Sequence, residues 1–172
     1  MMQQERANTL VAQGNDYREK GDLENAVKSY QQAIALVPAY ESLNLVVGDM
    51  LFEYKNYAAA AEAYQAVVAA FPEHDQAWAG LGQCLMILSD HNGAAAALDN
   101  AVKQNPTDAL SWFYSAMVHT LLEDTTRAKA CLKEALRLQP GWEDRARNED
   151  LFQPYFEDGW SPTKKRWQFW KK

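Results

Sequence analysis

Along the chain, apolar residues recur at three- and four-residue intervals in eight stretches of about 14 residues, with polar residues between them. That is the period of one helix face, not the two-residue alternation of a strand. It predicts helices over 3–20, 23–36, 41–54, 57–70, 75–88, 91–104, 109–122 and 125–138, and no strand. Breakers divide the stretches into pairs: Lys20-Gly21-Asp22, Lys55-Asn56, Ser89-Asp90 and Glu123-Asp124.

The pairs repeat. Pro38, Pro72, Pro106 and Pro140 are spaced by 34 residues, a period typical of helical repeat arrays. Four further columns keep phase with them: Ala26/Ala60/Ala94/Ala128, Tyr30/Tyr64/Leu98/Leu132, Ala33/Val67/Ala101/Ala135 and Gly14/Gly48/Gly82/Ala116. The chain therefore divides into a lead-in (1–6), four units (7–40, 41–74, 75–108, 109–142) and 30 trailing residues. Gly14 with Ala26, Gly48 with Ala60 and Gly82 with Ala94 are expected where two helices approach closely. Overpacking such a contact costs about 1–3 kcal/mol. Each proline ends a helix, because its ring clashes with the preceding turn and it lacks an N–H. Tyr17, Tyr30, Tyr64, Trp78 and Trp112 are expected to fill the wedges between helices.

These residues resemble the tetratricopeptide repeat family over 136 of the 172 residues. The third unit matches its pattern best, with Trp78, Leu81, Gly82, Ala94, Ala101 and Pro106. The fourth has Ser115-Ala116 in place of Leu-Gly. The first carries Leu10 and Gln13 at its leading positions, and the second has Asn44 and Val67. The resemblance implies an all-α, right-handed superhelical solenoid of four antiparallel helix pairs, with the first helix of each unit on the concave face.

The resemblance further implies that positions 2, 5, 9 and 12 of each unit line that groove. They are Asn8, Val11, Asn15 and Arg18; Ser42, Leu45, Asp49 and Phe52; Gln76, Ala79, Gln83 and Met86; Leu110, Phe113, Met117 and Thr120. Position 6 adds Tyr114. The lining grades from polar to apolar along the array, and apolar side chains open to water in a concave surface mark a binding patch. Asn15, Asp49 and Gln83 are expected to hydrogen-bond a ligand backbone, with Phe52, Met86, Phe113, Tyr114 and Met117 in apolar contact. Family members that grip chaperone carboxyl termini use lysine, asparagine and arginine at set positions. Here those positions hold Val11, Asn15, Val46, Gln76 and Gly80, so that cationic clamp is not expected.

A repeat stack ends in an apolar face that needs a cap, and 143–160 is expected to supply it. Residues 142–150 read as a short charged helix leading into it and Leu151–Phe156 as an aromatic stretch broken by Pro154. Residues 161–172 change character, with five bases, no acid and rings at Trp167, Phe169 and Trp170; the rest of the chain carries 12 bases against 23 acids. That split suggests an interaction tail. Lys164, Lys165, Arg166, Trp167, Phe169 and Trp170 are its candidate contacts, toward an anionic membrane surface or the acidic repeat body, in its own or a neighbouring copy.

The remaining composition narrows the function. The net charge of −6 argues against nucleic-acid binding, since phosphate attraction dominates such affinity. Two cysteines, Cys84 and Cys131, fit a reducing, cytoplasmic setting rather than a disulfide scaffold. The N-terminus lacks a signal-peptide pattern, and no apolar run approaches the roughly 20 residues of a membrane span. His74, His91 and His119 fall in three different units without metal-ligand spacing, so no metal or cofactor is expected. Neither cysteine has a local base to activate it. The function expected is non-catalytic: a protein–protein interaction scaffold that binds a peptide or helix in its groove. The alternative is an assembly protein that self-associates or attaches to membranes through its tail.

Overall fold

The computed structural model describes residues 2–37, 40, 42–157 and 159–161 of the chain. Eight long helices follow one another: α1 (Met2–Glu19), α2 (Leu23–Leu36), α3 (Leu43–Glu53), α4 (Tyr57–Ala70), α5 (Asp75–Ile87), α6 (His91–Gln104), α7 (Ala109–Leu121) and α8 (Thr125–Leu138). A 3-10 turn (Pro140–Trp142), α9 (Glu143–Arg147), a second 3-10 turn (Asp150–Phe152) and α10 (Gln153–Glu157) complete the order. The described residues contain no strand. The expected charged helix over 142–150 is shorter than its sequence pattern suggests, spanning five residues before the chain turns at Asn148.

The turn inside each pair is built the same way four times. Gly21, Lys55, Ser89 and Glu123 adopt positive φ of 76°, 60°, 65° and 60°. The next residue sends its N–H back to a carbonyl five residues earlier: Asp22 to Tyr17, Asn56 to Leu51, Asp90 to Leu85, Asp124 to His119, all at 2.9 Å. This is the left-handed helix stop with its six-to-one bond. The same Asp22, Asn56, Asp90 and Asp124 then accept a backbone N–H of the following helix and serve as its N-cap. One residue thus closes one helix and opens the next, so the antiparallel reversal needs only three residues.

The other end of each pair stops for a different reason. Val37, Phe71, Asn105 and Gln139 leave α2, α4, α6 and α8 in non-helical backbone conformations, with φ between −139° and −129° and ψ between 79° and 95°. Each precedes a proline, whose ring disfavours the helical region for its neighbour. Trp78 and Trp112 then donate their indole N–H to the carbonyls of Pro72 and Pro106, at 2.7 and 2.9 Å. These bonds fasten the start of α5 and α7 to the preceding loops.

Packing is between neighbours along the chain. Helices of one pair pack together, and each second helix packs on the first helix of the next pair. The close approaches differ from the glycine–alanine pairing expected from sequence. A Cβ on Gly14 would lie 2.5 Å from the ring of Tyr30, and one on Gly48 would lie 2.7 Å from that of Tyr64. Gly82 instead faces Leu98, at 2.6 Å, and the carbonyl of Ala94. The glycines make room chiefly for the residue at the tyrosine/leucine column. Tyr64 is held from both sides, because a Cβ on Gly80 of the next unit would also meet its ring, at 2.6 Å.

Candidate protein-interaction surface

The first helices form the tighter layer, since α5 packs directly on both α3 and α7. They therefore line the inner curve, and the predicted groove positions fall on them. Asn8 accepts a hydrogen bond from the Tyr40 hydroxyl, which also receives one from the Gln4 amide at 2.8 Å. Asn15 Oδ1 accepts from the Tyr30 hydroxyl at 2.7 Å, and Asp49 Oδ1 from that of Tyr64 at 2.8 Å. Asn15 and Asp49, expected as free ligand contacts, are thus each partly committed to a tyrosine of their own unit. Burial, then the Asp49 carboxylate, pushes the Tyr64 phenol far above its usual range. Units three and four have leucine in that column and leave Gln83 and Met117 without such a tie.

Between these polar positions lie half-buried apolar ones. Val11, Leu45 and Phe52 pack against the core that runs from the first unit into the third, and Phe52 meets Tyr57 edge-on at 5.3 Å. Met86 and Tyr114 pack against the cluster around Leu98 and Val118. Arg18, Gln76 and Leu110 are exposed, while Ala79 and Gln83 are half-buried. A cleft of about 220 Å³ opens among Ser42, Leu45, Val67, Phe71 and His74, beside two groove positions of the second unit.

Phe113 is a correction. It was expected to line the groove but is 0% exposed. Phe152 packs edge-on against it at 5.4 Å and Trp142 at 5.8 Å, while the Arg145 guanidinium sits 4.7 Å over its ring. Further along the same helix, Thr120 Oγ1 and the Tyr155 hydroxyl share a hydrogen bond of 2.9 Å. Met117 packs against the same cluster. The chain's own C-terminal segment thus covers this part of α7. Lys129 of α8 over Tyr155, at 5.0 Å, ties the segment to the last repeat, and Arg147 over Phe156, at 4.5 Å, ties its two short helices together.

The sequence reading missed an exposed row. Tyr54, Ile87, Leu88 and Leu121 are 52%, 43%, 45% and 37% exposed. They occupy positions 13 and 14 of their units, at the ends of α3, α5 and α7. The signal was present as apolar residues next to the breakers, but they belong to none of the columns that keep phase with the prolines. The candidate tail contacts Lys164, Lys165, Arg166, Trp167, Phe169 and Trp170 lie outside the described residues.

The other chemistry-bearing side chains are structural where described. His74 caps α5 through Nδ1, and buried His119 places Nε2 3.5 Å from Asp99. Burial pushes the Cys84 thiol up to about 11 and also raises that of Cys131, whose Sγ lies 3.4 Å from Ser115 Oγ. Among the described residues, no group of three His, Cys, Asp or Glu is placed to hold a metal. No described helix is long and apolar enough to cross a membrane.

This architecture has clear relatives. The family described as the cilia and flagella-associated protein 70 C-terminal domain, a tetratricopeptide-repeat domain, matches residues 2–166. The chain belongs to that family. Among solved structures, this tetratricopeptide-repeat chain is similar to MamA protein, with a TM-score of 0.81 at 18% identity over 90% of this chain and 84% of that one. It is also similar to YrrB, described as a TPR protein with an unusual peptide-binding site, with a TM-score of 0.74 at 21% identity over 87% and 77% of the two chains. MamA from Desulfovibrio magneticus RS-1 gives 0.69 at 21% identity over 80% and 77%. At these identities the likeness is one of fold. No curated protein matches the sequence.

Proposed function

We infer that this chain is a non-catalytic protein–protein interaction scaffold whose inner curve takes an extended peptide or a short helix. The observation that carries the reading is the surface shared by units two and three. There Leu45, Phe52 and Met86 are partly open to solvent beside the polar Asp49, Gln76 and Gln83. Apolar side chains would anchor the ligand, and the carboxylate and amides would meet its backbone. YrrB, of the same fold, is described by its peptide-binding site. Interfaces of this size bind at about micromolar strength, near −8 kcal/mol.

Phe113 and Met117 do not serve as the test of this groove, because substituting them disturbs the C-terminal segment as well. Phe52→Ala with Met86→Ala is the informative variant. Peptides selected on the immobilised wild-type protein are expected to lose at least about tenfold in affinity, equivalent to 1.4 kcal/mol. A control at Gln65, an exposed residue of α4, should leave affinity unchanged. Equal affinity in all three proteins would remove the groove assignment.

A further inference from the structure

The apolar row at the ends of α3, α5 and α7 has a candidate occupant within the same chain. Four of the seven exposed large apolar residues among those described lie on it: Leu121, Leu88, Ile87 and Tyr54. The turns that carry it (19–22, 53–56, 87–90 and 121–124) hold six acids and two lysines. One of those lysines, Lys20, is paired with Asp16 at 2.6 Å, and one of the acids, Asp124, with Arg127 at 3.5 Å, which leaves five acids against one lysine. Toward the N-terminal end the row opens into a cleft of about 480 Å³ between α2, α3 and α4, walled by Leu23, Val27, Leu51 and Tyr54. That volume lies in the range of small-ligand pockets. Lys28 in the same cleft is neutralised by Glu24, at 2.6 Å. An acidic edge with open apolar steps fits a segment that is both basic and aromatic.

The chain leaves the described structure at this edge. Tyr155 is bonded to Thr120, at the end of α7, and lies under Lys129, early in α8, which places it at the turn between them. Trp160 stands on Tyr155 with ring centroids 6.4 Å apart, and its N–H donates to the Tyr155 carbonyl at 3.0 Å. Residues 162–172 follow, with five bases, no acid and three aromatic rings.

We propose that residues 162–172 dock along this edge of their own chain, bases against the acidic turns and rings on the exposed apolar row. Eleven extended residues reach about 36 Å. Packed helices lie about 8–10 Å apart, so the step from α7 to α3 is about 20 Å and within reach. The order also fits: Lys164–Arg166 come first, opposite Glu123 and Asp90, and Trp167, Phe169 and Trp170 follow where Leu88 and Tyr54 stand. Attachment to the same chain raises the local concentration to about millimolar, which favours the chain's own edge over that of a second copy. This edge adjoins groove position 12, Phe52 and Met86, and lies apart from positions 2, 5 and 9.

The test uses the full chain carrying Lys172→Cys with a nitroxide label; native Cys84 and Cys131 are buried and spared. Backbone amide signals of 54–56 and 87–90 are expected to broaden in dilute protein. The broadening should disappear in Tyr54→Ser/Ile87→Ser/Leu88→Ser. It should also disappear in Lys164→Glu/Lys165→Glu/Arg166→Glu, which leaves the packed body untouched. Unchanged edge signals would overturn the proposal, as would broadening confined to groove residues such as Asn15 and Gln83. Broadening that appears only when labelled and isotope-enriched molecules are mixed would assign the tail to a second copy. Capture of the tail by phosphatidylserine vesicles, with the edge signals unbroadened, would assign it to a membrane surface. Either result overturns docking on the chain's own edge.

Discussion

At the scale of single residues, the left-handed turn positions are the clearest place where stability is given up. A non-glycine residue there costs about 1–2 kcal/mol, and Lys55, Ser89 and Glu123 bear that cost where Gly21 does not. Ser89→Gly is expected to stabilise the protein by about 0.5–1 kcal/mol, raising Tm by about 1–4 °C; thermal denaturation reads it directly. Tyr64 makes a second prediction. Its phenol is raised above the usual value of about 10, so the unfolded chain releases this proton first as pH rises. The stabilisation is complete below about pH 10 and declines above it. Tyr64→Phe should cost about 1 kcal/mol at neutral pH and flatten part of the loss of stability measured above about pH 10. The two buried cysteines should resist a thiol reagent until the protein unfolds, because burial disfavours their thiolates.

At the scale of the element, the helices were legible in the sequence to within two residues at each boundary. The reason is that most boundaries are set locally, by a left-handed stop, a capping side chain or a proline; α3, whose N-cap Ser42 bonds no helix N–H, starts two residues later than its pattern predicts. The partners of the glycines were not legible in this way. Gly14, Gly48, Gly82 and Ala116 recur in phase, yet which side chain fills the space depends on the distant tyrosine/leucine column. Gly14/Tyr30, Gly48/Tyr64 and Gly82/Leu98 leave no room for a Cβ, whereas Ala116 and Leu132 share one core in the last unit, so a leucine in this column is compatible with alanine there. Gly48→Ala should therefore destabilise by about 1–3 kcal/mol. Adding Tyr64→Leu should recover part of that loss, a coupling visible as non-additivity in a double-mutant cycle by urea denaturation. Strict additivity would show that the two sites do not share the contact.

At the scale of the whole molecule, the solenoid is a chain of neighbour contacts, so damage at one end should stay near that end. Phe152 is fully buried at the junction of the C-terminal segment with α7. Phe152→Ala should cost about 3–5 kcal/mol locally. In hydrogen exchange, protection should fall in α7, α8 and the segment itself, and persist in α3 and α4. Uniform loss across all helices would mean that the array unfolds as one unit. Part of the candidate site was legible at this scale too. Phe52, Met86 and Gln83 fall half-buried on first helices because a fixed repeat phase carries them there. Phe113 holds an equivalent phase and is nevertheless covered, because no fifth first helix follows and a non-repeating segment takes that place.

The 34-residue period, the helix ends, the pairing of neighbours and the inner face of each first helix were determined by the sequence alone, because they rest on local backbone preferences repeated in phase. Tertiary structure decided how much of that inner face is open. It closed the fourth unit with Phe152 and Tyr155, committed Asn15 and Asp49 to tyrosines, and left Tyr54, Ile87, Leu88 and Leu121 in water. Those outcomes depend on which surfaces meet across space, and a one-dimensional pattern does not record where the stack ends or what folds back to cover it.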